Sequence, residues 1–95
     1  MRIIWTQQAI SDLNHAYDYI AETAPESGTA IIERIEKSLE ALSNFPEMGR
    51  KGRVNNTREL IVPKTPFILP YRIRKNRIEI LGVIHATRRW PSSFE

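Results

Sequence analysis

No cysteine occurs among the 95 residues, which excludes both a disulfide framework and a thiolate-bound zinc. Histidine is limited to His15 and His85. No His/Asp/Glu cluster stands at metal-ligand spacing, so no metal centre is expected. Glycine falls to four residues with no phosphate-cradling loop, and no Ser/His/Asp set can be assembled. No cofactor is therefore expected, and a metal- or carboxylate-driven enzyme is disfavoured. Long apolar runs are missing too. The opening Ile3-Ile4-Trp5 is too short for a signal peptide, and nothing reaches membrane-spanning length. The expected address is the cytoplasm, without membrane attachment. What remains, 41% hydrophobic and 26% charged, is the composition of one ordinary globular domain over residues 1–95.

One further scarcity is local. From Met48 onward there are only three acids, Glu59, Glu79 and Glu95, against eleven of the fourteen basic residues. That half carries a net +8, and the first 47 residues carry −5. A cationic surface of this density seeks an anionic partner, either nucleic acid or an acidic protein segment.

The hydrophobic pattern gives the organisation. Arg2 to Trp5 reads as a short strand. Thr6 then suits a helix N-cap, followed by an apolar stripe of Ile10, Leu13, Tyr17 and Ile20 with Ala9 and Ala16 beside it. Thr23-Ala24-Pro25 interrupts this, with Pro25 in the first turn of a second helix whose stripe is Ile32, Ile35, Leu39 and Leu42. So short a break implies an antiparallel helical hairpin. Asn44-Phe45-Pro46 ends the second helix, and residues 47–56 read as a basic loop. Strands follow at 57–62, 67–74 and 77–85, the last pair joined by the two-residue turn Lys75-Asn76. The expected class is α+β: an N-terminal strand, a helical hairpin and a three-stranded antiparallel meander, with the helices on one face of a four-stranded sheet.

The tight turn sets a register. With Arg74 opposite Arg77, Tyr71 faces Ile80, Ile73 faces Ile78 and Leu69 faces Gly82, which makes an apolar face for the helices. The other face then holds Arg72 across from Glu79, with Arg74, Arg77, Val83 and His85. A bulge would shift this by one residue. Pro70 is awkward inside a middle strand, because it lacks a ladder donor.

The candidate functional residues lie in the basic half. Arg50, Arg53, Arg58, Arg72, Arg74, Arg77, Arg88 and Arg89 are the arginines of a partner-binding surface. His85 can serve as general acid or base, or can order the strand-to-tail junction through a backbone hydrogen bond. Arg72 with Glu79 reads as a cross-strand ion pair. Arg88-Arg89-Trp90-Pro91 is a cation–aromatic tail that can stack on a base, anchor a protein interface or fold back on the sheet.

The ordered set resembles the RelE/ParE toxins of bacterial type II toxin–antitoxin systems over nearly the whole chain. It comprises the opening strand and helical hairpin, Leu42-Ser43-Asn44-Phe45-Pro46 with its Gly/Arg loop, and Arg58-Glu59-Leu60. It continues through Phe67-Ile68-Leu69-Pro70-Tyr71-Arg72-Ile73 and Ile78-Glu79-Ile80-Leu81 to His85-Ala86-Thr87-Arg88. The resemblance implies a cytoplasmic toxin held inactive by a cognate antitoxin with an acidic, partly disordered segment. In the ParE-like branch the target is DNA gyrase, bound without chemistry. In the RelE-like branch it is mRNA on the ribosome, cleaved here by Arg72, His85 and Arg88. Ile68 stands where RelE-like members carry an arginine, and Trp90 and Phe94 stand where they carry a polar tail group, so the likeness is closer to the ParE-like branch.

Overall fold

Backbone pairing and capping account for the architecture of the computed structural model, which describes residues 1–94; Glu95, one of the three acids counted above, lies outside them. Arg2–Trp5 form β1. Thr6 caps α1 (Gln7–Thr23) as its composition predicts, its hydroxyl accepting the Ala9 N–H at 3.2 Å. The same hydroxyl donates to the Ile80 carbonyl at 3.0 Å, so one residue ties the helix start to the sheet. The second helix, α2 (Gly28–Asn44), begins three residues later than Pro25 suggests. Pro25 sits instead in the connecting turn, closed by the Ser27 N–H to the Ala24 carbonyl at 3.0 Å.

The helices bury Ala9, Ala16 and Ile20 from α1, and Ile35, Ser38 and Leu42 from α2. Leu13, Tyr17, Ile31 and Leu39 pack around them. Ile10 departs from its expected place and is 47% exposed. The small Ala9 and Ala16 occupy the contact line, and one residue beyond Ala9 is a turn of about 100° away from it.

Five further strands follow: β2 (Arg50–Lys51), β3 (Arg58–Ile61), β4 (Phe67–Arg74), β5 (Arg77–Ile80) and β6 (Ile84–His85). They run β1-β5-β4-β3-β2, with β6 also on β4, and every pairing is antiparallel except β1 with β5. The class is thus α+β as expected, with β2 added to the sheet and the strand expected at 77–85 divided into β5 and β6. The hairpin register matches the sequence reading: Arg74 opposite Arg77, Arg72 opposite Glu79, and Tyr71 opposite Ile80. Lys75 (φ 54°) and Asn76 (φ 60°) are both left-handed, the turn geometry whose twist suits a two-residue hairpin.

The last predicted strand does not run unbroken to His85. Between the Tyr71–Ile80 and Phe67–His85 pairs, β4 advances four residues and its partner five. One residue is therefore bulged out at 81–83. Pro70 explains the position. Its carbonyl accepts the Leu81 N–H at 2.8 Å, and with no N–H of its own it cannot return the bond. Asp12 of α1 then accepts the Val83 N–H at 3.1 Å and fixes the bulge. A one-residue shift reverses the faces. Val83 accordingly packs into the core, and His85 shares the helix side with Phe67, contrary to the uninterrupted alternation assumed from the sequence.

Tyr71 is the largest fully buried side chain. Its hydroxyl donates to the Pro46 carbonyl at 2.7 Å and accepts the Gly49 N–H at 2.9 Å, which fastens the loop after α2. Burial pushes its phenol above the ordinary value. A Cβ on Gly49 would lie 2.6 Å from the Tyr71 ring, so only glycine permits this approach. Tyr71→Phe strands both loop groups and is expected to lower stability by about 1–3 kcal/mol. Gly49→Ala should cost a similar amount, about 1–3 kcal/mol, through overpacking. Urea unfolding of each variant checks both figures.

Candidate functional site

Side chains that alternate away from the helices form the outer face of the sheet. At its open end, Arg2, Arg77 and Arg74 are register partners on β1, β5 and β4. The next rung holds Ile4, Glu79 and Arg72, and farther along stand Pro70 and Glu59. The two acids organise the arginines around them. Glu79 accepts Arg72 Nε at 2.6 Å and an Arg74 guanidinium N–H at 3.3 Å. Glu59, with its side chain only 2% exposed, accepts Arg50 at 2.8 Å and 3.0 Å and the Arg53 backbone N–H at 2.8 Å. Arg53 Nε adds a bond at 3.1 Å. This demand for donors draws residues 50–53 alongside β3 and creates β2, where the sequence reads only as loop.

The Arg53 guanidinium also lies 3.7 Å from the centre of the Trp90 ring. The tail therefore returns to the sheet, stacked under a cation that the buried carboxylate of Glu59 holds in place. Trp90 Nε1 is buried without a hydrogen-bond acceptor among the described residues. Arg88 and Arg89 are exposed beside it and rim a groove of about 1010 Å³ between the start of α1 and the tail.

His85 occupies a separate place. Its ring stands edge-on to Tyr19 of α1 (centroids 6.0 Å apart) and to Phe67 (5.8 Å). Its Nδ1 accepts the Thr87 N–H at 3.2 Å and lies 2.7 Å from the Thr87 hydroxyl. Asp12, His15, Tyr19, Thr87 and Arg88 share this cleft of about 200 Å³. The junction-ordering hydrogen bond set out for His85 is present.

The structure thus brings Arg50, Arg53, Arg72, Arg74, Arg77 and Trp90 to the outer side, with Arg88 and Arg89 on the tail beside it. It does not bring His85 to Arg72, because the bulge places them on opposite sides of the sheet. Arg58 also departs from the expected surface. It shares the side of Tyr71 and donates to the carbonyls of Glu47 (3.1 Å) and Gly49 (2.9 Å), holding the loop. Sequence reasoning missed three residues: Arg2, whose register follows only from the parallel β1–β5 pairing, Asp12 and Glu59. For Glu59, an isolated acid amid Arg50, Arg53 and Arg58 was the available signal. No group of three or more His, Asp or Glu able to hold a metal occurs among the described residues, and none of their helices is long and apolar enough to cross a membrane.

Burial raises the Glu59 pKa, but the hydrogen bonds from Arg53 and Arg50 outweigh it and hold the carboxyl below the usual value. Glu79 is held low chiefly by the Arg72 hydrogen bond, against the effect of burial. Groups with lowered folded pKa values contribute stability above their unfolded value of about 4.3 and lose it as pH falls through the folded values. The urea midpoint is therefore expected to fall below about pH 4.3, and Glu59→Gln with Glu79→Gln should flatten that acid slope. A pH series of unfolding curves measures it.

Comparison with known proteins agrees with this fold. Residues 3–90 match the family described as the ParE toxin of the type II toxin–antitoxin system, parDE. The protein named toxin Y4kP of Sinorhizobium fredii is 40% identical over 90 residues, covering 95% of this chain and 93% of that one. Toxin RelE2 of Caulobacter vibrioides is 26% identical over 87 residues, covering 92% and 97%. Among solved structures, the chromosomal ParDE TA system from P. aeruginosa superposes with a TM-score of 0.78 at 27% identity, covering 90% of this chain and 95% of that one.

Proposed function

The chain belongs to the ParE toxin family of type II toxin–antitoxin systems, and from that premise we propose that it arrests growth by binding DNA gyrase in the cytoplasm, without chemistry of its own. A cognate antitoxin, contributing an acidic and partly disordered segment, neutralises it. The observation that carries this reading is the corner built by Arg53, Trp90, Arg88 and Arg89. Arg and Trp dominate the energetics of protein interfaces, and here Arg53 and the Trp90 ring stacked on it are pre-positioned by a buried carboxylate. The alternative, mRNA cleavage on the ribosome by Arg72, His85 and Arg88, needs groups around one phosphate. Arg72 and His85 lie on opposite sides of the sheet, which argues against it.

Wild-type protein is expected to inhibit gyrase supercoiling at micromolar concentration. Trp90→Ala should raise the inhibitory concentration by about tenfold or more, the loss of one interface anchor of roughly 2 kcal/mol. Supercoiling left untouched by the wild-type chain, together with codon-phased cuts in translated mRNA during arrest, would overturn the gyrase reading. The same titration with the antitoxin present should restore supercoiling.

A further inference from the structure

The open end of the outer face carries three like charges in register. Arg2, Arg77 and Arg74 are direct neighbours across three adjacent strands. Like charges placed this way oppose folding, and sheets normally interleave them with acids. Here the nearest rung supplies a single acid, Glu79, and it is already engaged by Arg72 at 2.6 Å and Arg74 at 3.3 Å. Arg77, the middle member, has its Nε buried with no acceptor among the described residues. Lys75 in the adjoining turn adds another exposed cation.

From this ladder we infer that the Arg2–Arg77–Arg74 row is a binding site for the phosphodiester backbone of nucleic acid, separate from the tail corner proposed to bind gyrase. Two features select that chemistry over an acidic peptide. Strand spacing sets the three positions about 4.8 Å apart, so the row spans roughly 10 Å and can meet successive phosphates of one backbone. The row also offers no apolar anchor. The only exposed large apolar residue of this hairpin, Ile73, points to the opposite side. Peptide interfaces rest on buried aromatic or aliphatic anchors, whereas polyanion binding is driven by counterion release alone. Arginine suits the role because its planar fork meets two phosphate oxygens at once.

The test is fluorescence anisotropy of the full chain with a short fluorescein-labelled DNA duplex, and with its single strand and RNA counterparts, across a salt series. Three phosphate contacts predict that affinity for the duplex falls roughly fortyfold between about 50 and 200 mM salt. Arg2→Gln and Arg77→Gln are each expected to weaken binding and to reduce the logarithmic salt slope by about 1. Arg77→Lys keeps the slope, and Arg34→Gln on α2 controls for net charge. Arg2→Gln, on the exposed start of β1, keeps the test valid if Arg77 variants do not fold. Slopes unchanged in Arg2→Gln and Arg77→Gln, or competition by polyglutamate equal to that by duplex, overturn the site. The two readings fail separately: a chain that binds duplex yet leaves gyrase untouched keeps the ladder and loses the gyrase proposal. One that inhibits gyrase and binds no duplex does the reverse.

Discussion

The backbone nitrogen of Pro70 carries no hydrogen, so its rung with Leu81 holds one hydrogen bond where an antiparallel sheet usually holds two. The consequences run outward from that single missing donor. β5 stops at Ile80, an extra residue is accommodated before β6, and the side chains beyond exchange sides. Val83 enters the core, His85 turns toward α1, and Asp12 supplies the acceptor that the displaced Val83 N–H needs. The tail therefore leaves the sheet beside the first turn of α1. Aliphatic side chains at position 70 would permit the ladder to continue; proline makes the break part of the fold.

Electrostatics is the second organising constraint. The basic half carries +8 in sequence, but four of its arginines pair with two carboxylates that are almost fully enclosed, Arg74 the most loosely, at 3.3 Å with its side chain still half exposed. Removing a carboxylate from water is unfavourable unless donors surround it. Glu59 and Glu79 therefore dictate where Arg50, Arg53, Arg72 and Arg74 can stand. What this leaves is positive potential at the two ends of the face: the Arg2–Arg77 end, and the tail with Arg88 and Arg89. The charge is segregated as the sequence suggests, and it is also sorted into structural and available cations, a division that composition alone does not display.

Most of the frame was legible residue by residue. Thr6 and the three- and four-residue apolar steps located the helices because capping and periodicity are local properties. Lys75-Asn76 fixed the register of β4 and β5 because a two-residue turn leaves no slack. The parts that escaped depend on distant partners. β2 exists because Glu59 gathers donors from across a loop, Arg58 turns inward because the carbonyls after α2 need it, and Ile10 yields its place to smaller alanines that let the helix approach the sheet. The site was legible as a set of residue types. Its division into two sides was not, since the alternation rule was carried through a bulge. The family resemblance and the residue-level reading agreed on architecture, and the structure adds how the cations are partnered.

The parallel pairing of β1 with β5 joins Arg2–Trp5 to Arg77–Ile80, segments near opposite termini. Closing so long a stretch of chain costs entropy before any contact rewards it, and contacts between distant segments slow folding. During synthesis the first strand stays without its neighbour until Arg77–Ile80 have been made. The row of Arg2, Arg77 and Arg74 therefore exists only once two segments far apart in the chain have met.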